Sequence, residues 1–474
     1  MSFYRSFPRA VIQVAALLFA LAAWAGLANA ASSCTHYASP AGGGNGSSPT
    51  SPFKISNFWS VAAPGATLCL LDGQYTGSAS MIKPPQKLNG TSAAPITVKA
   101  LNDGKVTIDG QGALTPVSLY YNDYFILEGF NARNSSSSVI SVSYSNHNVI
   151  RRVAAWDAAD GNHSIFGVHN SNYTLLEDVA GWGVGRKIFE SSQAGNYTTI
   201  RRAWGRWEGS HVVGPKMTYT LAYNNYYMVC ENCIGTWSGE RMKETYTLLD
   251  YYGNPWTGSG GGTYTNYSVN QPYGVFAVDG FSEGKDRNAR SKILGSLAYV
   301  RASDRFHPAQ SIFVTKIDSF EVAHTVAYVQ PGYHTTKRPF ALYNLATAVG
   351  TNLVARSLTG VGTATSYFAS DWTTSLLAMG SALSAVGNIF TSTAGANLCY
   401  RYKDAALTSE PLWPWPMNER IKEATAQSGR AVVDVTATVE SMFGSIPSQC
   451  KSSTVVSPPL VTIPAAPTNL VVAK

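Results

Sequence analysis

The stretch that decides the fold is Leu176-Glu177-Asp178-Val179 followed by Ile200-Arg201-Arg202-Ala203, because its four-residue pattern recurs along the chain. Second residues of the copies are 23, 26, 24, 30, 64 and 28 positions apart, and the copies are Leu127–Phe130, Ile150–Val153, Leu176–Val179, Ile200–Ala203, Cys230–Cys233, Leu294–Leu297 and Val322–Thr325. A period in the twenties with short β-like segments predicts stacked coils of strands. The 64-residue gap fits two coils, one of them irregular or enlarged.

The first and fourth residues of the pattern are apolar in nearly every copy. In a plain strand, residues three apart face opposite sides. Both can face one core only if the chain bends between them, and the predicted bend residues are Gly129, Arg152, Asp178, Arg202, Asn232 and Ser296. This interpretation places Cys230 and Cys233 in the core, and a redox or metal motif is the alternative for that pair.

The second residue of the pattern alternates in charge, through Glu128, Arg151, Glu177, Arg201 and Glu231. Neighbouring coils lie about 4.8 Å apart, so these side chains are expected to form a ladder of opposite charges. Each exposed pair contributes only about 0.2–1 kcal/mol. We therefore expect the ladder to set the register between coils and to take no part in catalysis.

Two further columns follow downstream. One is small and contains Ala132, Ala155, Gly181, Gly205 and Gly235. The next is aromatic and contains Trp156, Trp182, Trp237, Tyr299 and Tyr328. An aromatic stack on a β surface can bind sugar rings, but aromatic side chains more often pack in cores, so packing is the preferred interpretation.

Composition excludes several classes of protein. Charged residues form only 13% of the 474 residues, which does not fit a coiled coil, and the 45% hydrophobic content does not fit a disordered chain. A solenoid accounts for this length as one coil, because each repeat contacts only its neighbours. No run of Lys and Arg indicates nucleic-acid binding, and no stretch beyond the N terminus is long and apolar enough to span a bilayer.

Both chain ends have distinctive composition. Residues 1–30 are predicted to be a signal peptide, with Arg5, Arg9, an apolar stretch and the small-residue triplet Ala28-Asn29-Ala30. Its removal lowers the formal charge from +7 to +5. The predicted division is residues 31–394 for the coil and its N-terminal cap, 395–450 for a C-terminal cap, and 451–474 for a Pro/Ser/Val-rich linker or tail.

Six cysteines in an exported chain favour disulfides. We predict the pairs Cys34–Cys69 and Cys399–Cys450, one closing each end of the coil.

Several N-terminal segments carry a resemblance to a known family: Tyr37-Ala38-Ser39-Pro40, Pro64–Tyr75, Ala94–Ala100 and Ile108-Asp109-Gly110. Together with the repeat they resemble the secreted right-handed parallel β-helix proteins of the pectin-lyase-like superfamily, over roughly residues 34–400. The resemblance implies an all-β, right-handed parallel β-helix (solenoid) with N- and C-terminal caps. Many members are lyases, glycosidases or epimerases of acidic polysaccharides, but fold alone does not give function. The catalytic set of the polygalacturonases and the Asp-rich calcium cluster of the pectate lyases are absent, so no residue role is carried over.

Charged residues recur nine to twelve positions after each ladder position. The residues at this offset are Asp160 and His163, Arg186 and Lys187, the uncharged Ser210 with His211, Glu240, Arg241 and Lys243, and Asp304, Arg305 and His307. Charges at one offset on successive coils predict one charged face, and solenoids bind extended ligands along such a face. A solvated loop face is the alternative.

The preferred reaction is β-elimination on a uronate-containing polysaccharide, which needs a base and a cation that neutralises the substrate carboxylate. Lys187 or His211 is the predicted base, and Arg186 or Arg206 the predicted cation. Predicted substrate-binding residues are Asp160, Glu208, Glu240, Arg241, Lys243, Asp304 and Arg305. One alternative is a glycoside hydrolase that uses paired carboxylates such as Asp160, Glu190, Glu208 or Glu240. The other is a non-catalytic, glycan-binding or structural β-helix protein of the cell surface.

Calcium is a candidate cofactor, although the sequence shows no clear ligand cluster and no metal site is predicted. The expected partner is an acidic polysaccharide, with no nucleic acid and no membrane span after signal removal. We expect a monomer that is secreted, extracellular or periplasmic.

Overall fold

Short strands recur along the chain and pair in parallel with the strands of the previous and following coils, which builds three sheets. The computed structural model describes residues 34–212, 216–223, 227–242, 245–247, 249–250, 254–258, 262–264, 274–279, 290–301, 310–315, 319–329, 338–343, 347–351, 353–356, 383–384, 389–390 and 398–452. The right-handed parallel β-helix that the resemblance implies is confirmed by this pairing. The predicted signal peptide and the tail from residue 453 onward lie outside the described residues.

Sheets 1 and 2 each have eleven described strands. Sheet 1 consists of His36–Ala38, Thr67–Leu70, Ile96–Ala100, Phe125–Glu128, Val149–Arg151, Leu175–Glu177, Thr198–Arg201, Tyr227–Glu231, Arg290–Leu294, Ser319–Ala323 and Thr347–Thr351. Sheet 2 consists of Gly73–Tyr75, Val106–Asp109, Asn131–Arg133, Ala154–Trp156, Ala180–Val184, Trp204–Gly209, Ile234–Trp237, Leu297–Val300, Val326–Val329, Leu353–Arg356 and Leu383–Ser384.

Sheet 3 consists of Val117–Tyr120, Ile140–Ser143, Ser164–His169, Lys187–Ser192, Met217–Tyr223, Gly274–Asp279, Gln310–Thr315 and Arg338–Tyr343. Within the described ranges, two antiparallel hairpins lie outside the coil, Tyr246–Thr247 with Thr263–Tyr264 and Tyr400–Lys403 with Ala406–Pro411. The α-helices in these ranges are Ile55–Phe58, Asn418–Gln427 and Val435–Phe443, and short 3-10 turns occupy Ser78–Ser80 and Ser448–Cys450.

The predicted bend between sheets 1 and 2 is confirmed, because one residue with positive φ occupies it in successive coils. These residues are Gly129, Arg152, Asp178, Arg202, Asn232, Gly295 and His324. One copy of the pattern was misaligned by a residue: Cys230 pairs with Ile293, so the bend is Gly295 and not Ser296. Leu294 and Leu297 are both apolar and lie three residues apart, which favours the wrong register. In the observed register Ser296 occupies the fourth position, and its hydroxyl donates to the Leu294 carbonyl (3.0 Å).

The prediction of two coils across the long gap is wrong. Strand Tyr227–Glu231 pairs directly with Arg290–Leu294, and Ile234–Trp237 pairs directly with Leu297–Val300. The gap is therefore one coil with an enlarged connection between sheets 2 and 3, which includes the hairpin of Tyr246–Thr247.

The small column is confirmed and faces the core. Gly181 pairs with Ala155 and Gly205, and a Cβ at Gly181 would lie 2.7 Å from Ile188 Cγ2. Inside the coil, aromatic rings stack in the order Phe166, Phe189, Tyr219 and Phe276, with centroids 4.9, 4.8 and 4.4 Å apart. The missing side chains of the small column make room for these rings, since a close-packed interior has no space for both.

Residues 398–452, which we call the C-terminal segment, pack along the outer face of sheet 2. The Trp156 and Trp182 rings stack at 4.9 Å and are almost fully buried beneath it, so packing is confirmed for these two aromatics. The predicted aromatic column was out of register at one point, because Trp237 stacks on Trp207 and Arg206 pairs with Trp182.

Contacts of the C-terminal segment run along the side of the coil. The Arg420 guanidinium donates to Asp103 and to Asn131 (both 2.7 Å), whereas Tyr402 N donates to Asn232 at a later coil. These contacts belong to a lateral cover, whereas the sequence suggested a cap over an open end.

The charge ladder is confirmed as structural. Arg201 lies 3.2 Å from Glu177 and 2.6 Å from Glu231, and Arg151 lies 2.9 Å from Glu128. Arg201 is more buried than expected because the hairpin of the C-terminal segment covers it, and Asp404 adds a further ion pair at 2.7 Å.

Both predicted disulfides are present, Cys34–Cys69 and Cys399–Cys450. Cys230 and Cys233 are core residues, as predicted, and they also form a third disulfide in addition to the two predicted pairs. Among the described residues, no helix has the length and apolar content needed to cross a membrane.

Candidate functional site

Connections from sheet 2 to sheet 3 bring together charged side chains from three successive coils. Asp160 lies in the connection before strand Ser164–His169, Arg186 lies just before strand Lys187–Ser192, and His211 lies before strand Met217–Tyr223. Because the three strands are neighbours in sheet 3, their leading connections stack on one edge of the coil. The predicted charged face is therefore present on these coils.

Asp160 and His211 form the most directional pair of this region. Asp160 Oδ2 lies 2.5 Å from His211 Nδ1, while Asp160 Oδ1 accepts from the backbone N–H of His211 (2.9 Å) and from the hydroxyl of Ser210 (3.2 Å). Burial alone would raise the pKa of Asp160, but these bonds from His211 outweigh it and lower the pKa. With Asp160 ionised, the imidazole is held with Nδ1 towards the carboxylate.

A second pair lies on strand Lys187–Ser192 itself. Lys187 Nζ donates to Glu190 Oε1, and both side chains are buried. Glu190 also accepts from the hydroxyls of Ser164 and Ser192 and lies 3.3 Å from His169 Nε2. Burial would raise the pKa of Glu190, but Lys187 and His169 hold it well below its ordinary value. Glu190 is therefore a carboxylate whose position is fixed on several sides.

Positive charge is concentrated beside these pairs. Arg186 is buried and its Nη1 donates to Asn162 Oδ1 at 2.6 Å. Burial lowers the pKa of Lys187, with Arg186 adding to the effect and Glu190 opposing it. Burial and Arg186 also hold the pKa of Lys216 well below its ordinary value, against the attraction of Asp160. Buried cations with lowered pKa values are costly to fold and are typical of functional sites.

Arg206 and Glu208 are held in a different network. Arg206 Nη2 lies 2.5 Å from Glu208, whose other oxygen lies 3.1 Å from Arg430 of the C-terminal segment. Arg430 in turn lies 2.6 Å from Asp157. Glu208 is completely buried, and burial raises its pKa against the two arginines. This network joins the C-terminal segment to sheet 2, so we leave Arg206 and Glu208 out of the candidate site.

Glu240 and Arg241 lie on the rim of that network. The Glu240 side chain is 41% exposed and lies 3.4 Å from Arg206. Arg241 is exposed, and its backbone N–H donates to the Glu208 carbonyl at 2.9 Å. Lys243, Asp304 and Arg305 lie outside the described residues.

One member of the site was not found from the sequence, and another was found in a different role. His169 lies within a strand of sheet 3, outside the predicted offset. Glu190 lies in the next strand of that sheet and was named only among the carboxylates of the hydrolase alternative. Strand pairing places Gly167 beside Glu190 and brings His169 close to that carboxylate, and no local sequence pattern shows this pairing.

Among the residues that the structure describes, no three His, Cys, Asp or Glu side chains are grouped so that they can hold a metal ion. The structure therefore adds no ligand set for calcium to what the sequence offered.

Comparisons with known proteins find similarity at the level of structure. No protein-family model and no curated protein matches the sequence. Among solved structures, pectate lyase Pel9A is 17% identical, with 69% of this chain and 77% of that chain covered and a TM-score of 0.44. The alginate lyase from Paenibacillus sp. str. FPU-7 is 14% identical over 64% of this chain and 90% of that chain, with a TM-score of 0.39. The complex of XylC with xylose is 9% identical over 68% and 69%, also with a TM-score of 0.39.

Proposed function

We propose that the protein is a lyase that cleaves an acidic, uronate-containing polysaccharide by β-elimination. The observation that carries the proposal is the Asp160–His211 pair on the same edge of the coil as the buried cations Arg186, Lys187 and Lys216. The stacked connections support an extended substrate, because a solenoid presents a continuous face to a polymer.

His211 is the proposed base. Asp160 engages Nδ1, so in the neutral ring the proton lies on Nδ1 and the lone pair on Nε2. A carboxylate that fixes the orientation of an imidazole in this way is a recurring arrangement for general bases. Lys187 was the other candidate, but its bond to Glu190 favours the protonated amine.

Arg186 is proposed to neutralise the substrate carboxylate, and an anionic substrate beside Lys216 would favour the charged form of that amine. In the reaction, the base removes the proton from the carbon next to the carboxylate, a carbon–carbon double bond forms, and the glycosidic carbon–oxygen bond breaks with its electron pair on oxygen. The departing oxygen then takes up a proton. Fixed positive charge stabilises the negative charge that develops on the carboxylate during proton removal.

The test is incubation with polysaccharides of different uronate composition, with ultraviolet absorbance recording unsaturated ends and a reducing-sugar assay recording every cleavage. We expect both signals from the wild-type protein and loss of both in His211→Ala and Arg186→Ala. Lys292→Ala is the control, because Lys292 forms an ion pair with Glu321 (2.6 Å) on sheet 1, away from the site.

Reducing ends without ultraviolet absorbance would contradict elimination and favour hydrolysis by carboxylates. Retention on immobilised glycans with no cleavage would favour a binding protein. Full activity in His211→Ala would show that another residue is the base.

A further inference from the structure

Three tyrosines form an exposed cluster at the N-terminal end of sheet 3, which we call the tyrosine platform. Tyr120, Tyr121 and Tyr144 are 40%, 40% and 44% exposed, a high exposure for such large rings. The Tyr121 and Tyr144 rings stack at 5.0 Å, and Tyr120 meets both edge-on at 4.6 and 5.8 Å. The mutual contacts fix the rings in place, so a ligand that binds them costs little side-chain entropy.

A cavity of about 590 Å³ adjoins the platform. Tyr120 lines it together with Trp59, Ser56, Gln86 and Lys83. Lys83 is exposed and provides the one charge among the nine lining residues, none of which is a carboxylate. Aromatic rings beside hydroxyl, amide and ammonium groups match a ligand that has apolar ring faces, many hydroxyls and negative charge.

A second set of aromatics on the same coils shows by contrast why the platform is unusual. Tyr124, His147, Tyr173 and Tyr197 stack face to face, with centroid distances of 4.8, 4.7 and 4.7 Å, and Tyr227 continues the ladder in a tilted contact with Tyr197 (5.8 Å, 41°). His147 and Tyr173 have both ring faces covered by neighbours, and all five side chains are only partly exposed. A sugar ring has no free face on these two inner rings, whereas Tyr120 contacts its neighbours edge-on.

The platform and the His169–Glu190 part of the candidate site lie on one face of sheet 3, whereas Asp160 and His211 lie at the opposite end of these strands. Tyr120 pairs with Ser143, and Ser143 pairs with His169, which contacts Glu190 at 3.3 Å. Two strand spacings separate Tyr120 from His169, or about 10 Å. The outward-facing column next to this one holds the small residues Ser141 and Gly167. No bulky side chain of that column therefore blocks the surface between Tyr120 and His169.

We propose that the tyrosine platform and the adjoining cavity bind a distal part of the acidic polysaccharide whose reacting sugar lies at the Asp160–His211 pair. The substrate class in this inference rests on the proposed function. Tyr120 and Tyr144 supply ring faces, and Lys83 pairs with a uronate carboxylate of the bound chain. The site recognises polymer length, because a short fragment held at Asp160 does not reach the platform.

Affinity electrophoresis through gels that contain each soluble acidic polysaccharide tests binding without requiring turnover. The test variant is Tyr120→Ala/Tyr144→Ala. Tyr173→Ala is the matched control, because Tyr173 and Tyr144 both occupy positive-φ positions (57° and 52°) in connections from sheet 3 to sheet 1, on neighbouring coils. We expect the double variant to bind the retarding polysaccharide about tenfold or more weakly than the wild type, and Tyr173→Ala to bind like the wild type.

Each outcome decides the inference. Equal retardation of the double variant and the wild type overturns it, as does a wild-type protein that no acidic polysaccharide retards. If a polysaccharide retards the wild type and not the double variant, but no ultraviolet-absorbing product forms, the platform stands and the lyase function fails. If product forms and the platform variant binds normally, the lyase function stands and the platform fails. Thermal unfolding of each variant shows whether it has folded.

Discussion

Replacing Glu190 by Gln removes the charge that faces Lys187 while keeping the size of the side chain. Glu190 is 5% exposed, Lys187 is 6% exposed, and Lys187 Nζ donates to the carboxylate. Removing one partner of a buried ion pair typically costs about 3–5 kcal/mol, because the other charge stays buried without compensation. An unfolding entropy of about 2.1 cal/mol/K per residue gives about 1 kcal/mol/K for 474 residues. We therefore expect the melting temperature to fall by about 3–5 °C.

Differential scanning calorimetry on four proteins measures this effect: the wild type, Glu190→Gln, Lys187→Met and the double variant. The double variant no longer buries an unpaired charge, so we expect it to be more stable than the sum of the single effects predicts. Glu240→Gln is the control, because the Glu240–Arg206 pair is half exposed at 3.4 Å and contributes about 0–1 kcal/mol. A fall of less than about 1 °C in Glu190→Gln, or simple additivity in the double variant, would refute the reasoning.

Three further outcomes are expected. Lys216→Met should stabilise the protein on the order of 1 kcal/mol at neutral pH while lowering activity, since burial disfavours the charged amine. Denaturation across a pH series checks the sign of this effect. Below the folded-state pKa of Lys216 the amine is charged in both states, so the variant should be more stable by the full amount. Above the ordinary pKa of 10.5 the amine is neutral in both states, and the difference in stability should disappear. Asp160→Asn should lower kcat by up to about 10²–10⁴-fold at saturating polysaccharide, because His211 loses its orienting carboxylate; an unchanged kcat would rule out that role. Gly181→Ala should cost about 1–3 kcal/mol in chemical denaturation, because the new Cβ would lie 2.7 Å from Ile188, and a neutral effect would contradict tight packing between the small column and the core side chains.

Much of the coil could be predicted because its repeats obey simple geometry. A bend of one residue puts two apolar positions three apart into the same core, and the residues at these bends, such as Asp178 and Asn232, are types that adopt positive φ. The alternating charges of Glu177, Arg201 and Glu231 then fix how the coils align. Ile293 and Leu294 are both apolar, so either one can be the first residue of its copy. The pattern alone does not choose between these two alignments.

The candidate site was predictable in part. Asp160, Arg186 and His211 lie in equivalent connections of successive coils. Their regular spacing in the sequence therefore places them next to one another in the structure. Arg206 lies five residues after Arg201, outside the offset of nine to twelve, and it faces the outside of sheet 2, where Arg430 from more than 200 residues later joins its network. No local pattern contains such a long-range contact, and this is why the sequence grouped Arg206 with the catalytic candidates.

The lateral cover affects the folding of the molecule, because the C-terminal segment is synthesised after the coil that it covers. The Trp156 and Trp182 rings are sealed by side chains from the C-terminal segment, including Trp413, Ile421 and Val439. The coils are able to form before this segment has been synthesised and has docked. Until then, the outer face of sheet 2 exposes a wide apolar strip. Such a strip favours association with other chains. We infer that truncation before Cys399 would produce a protein whose coil forms yet aggregates, because residues 398–452 cover a surface that is already assembled.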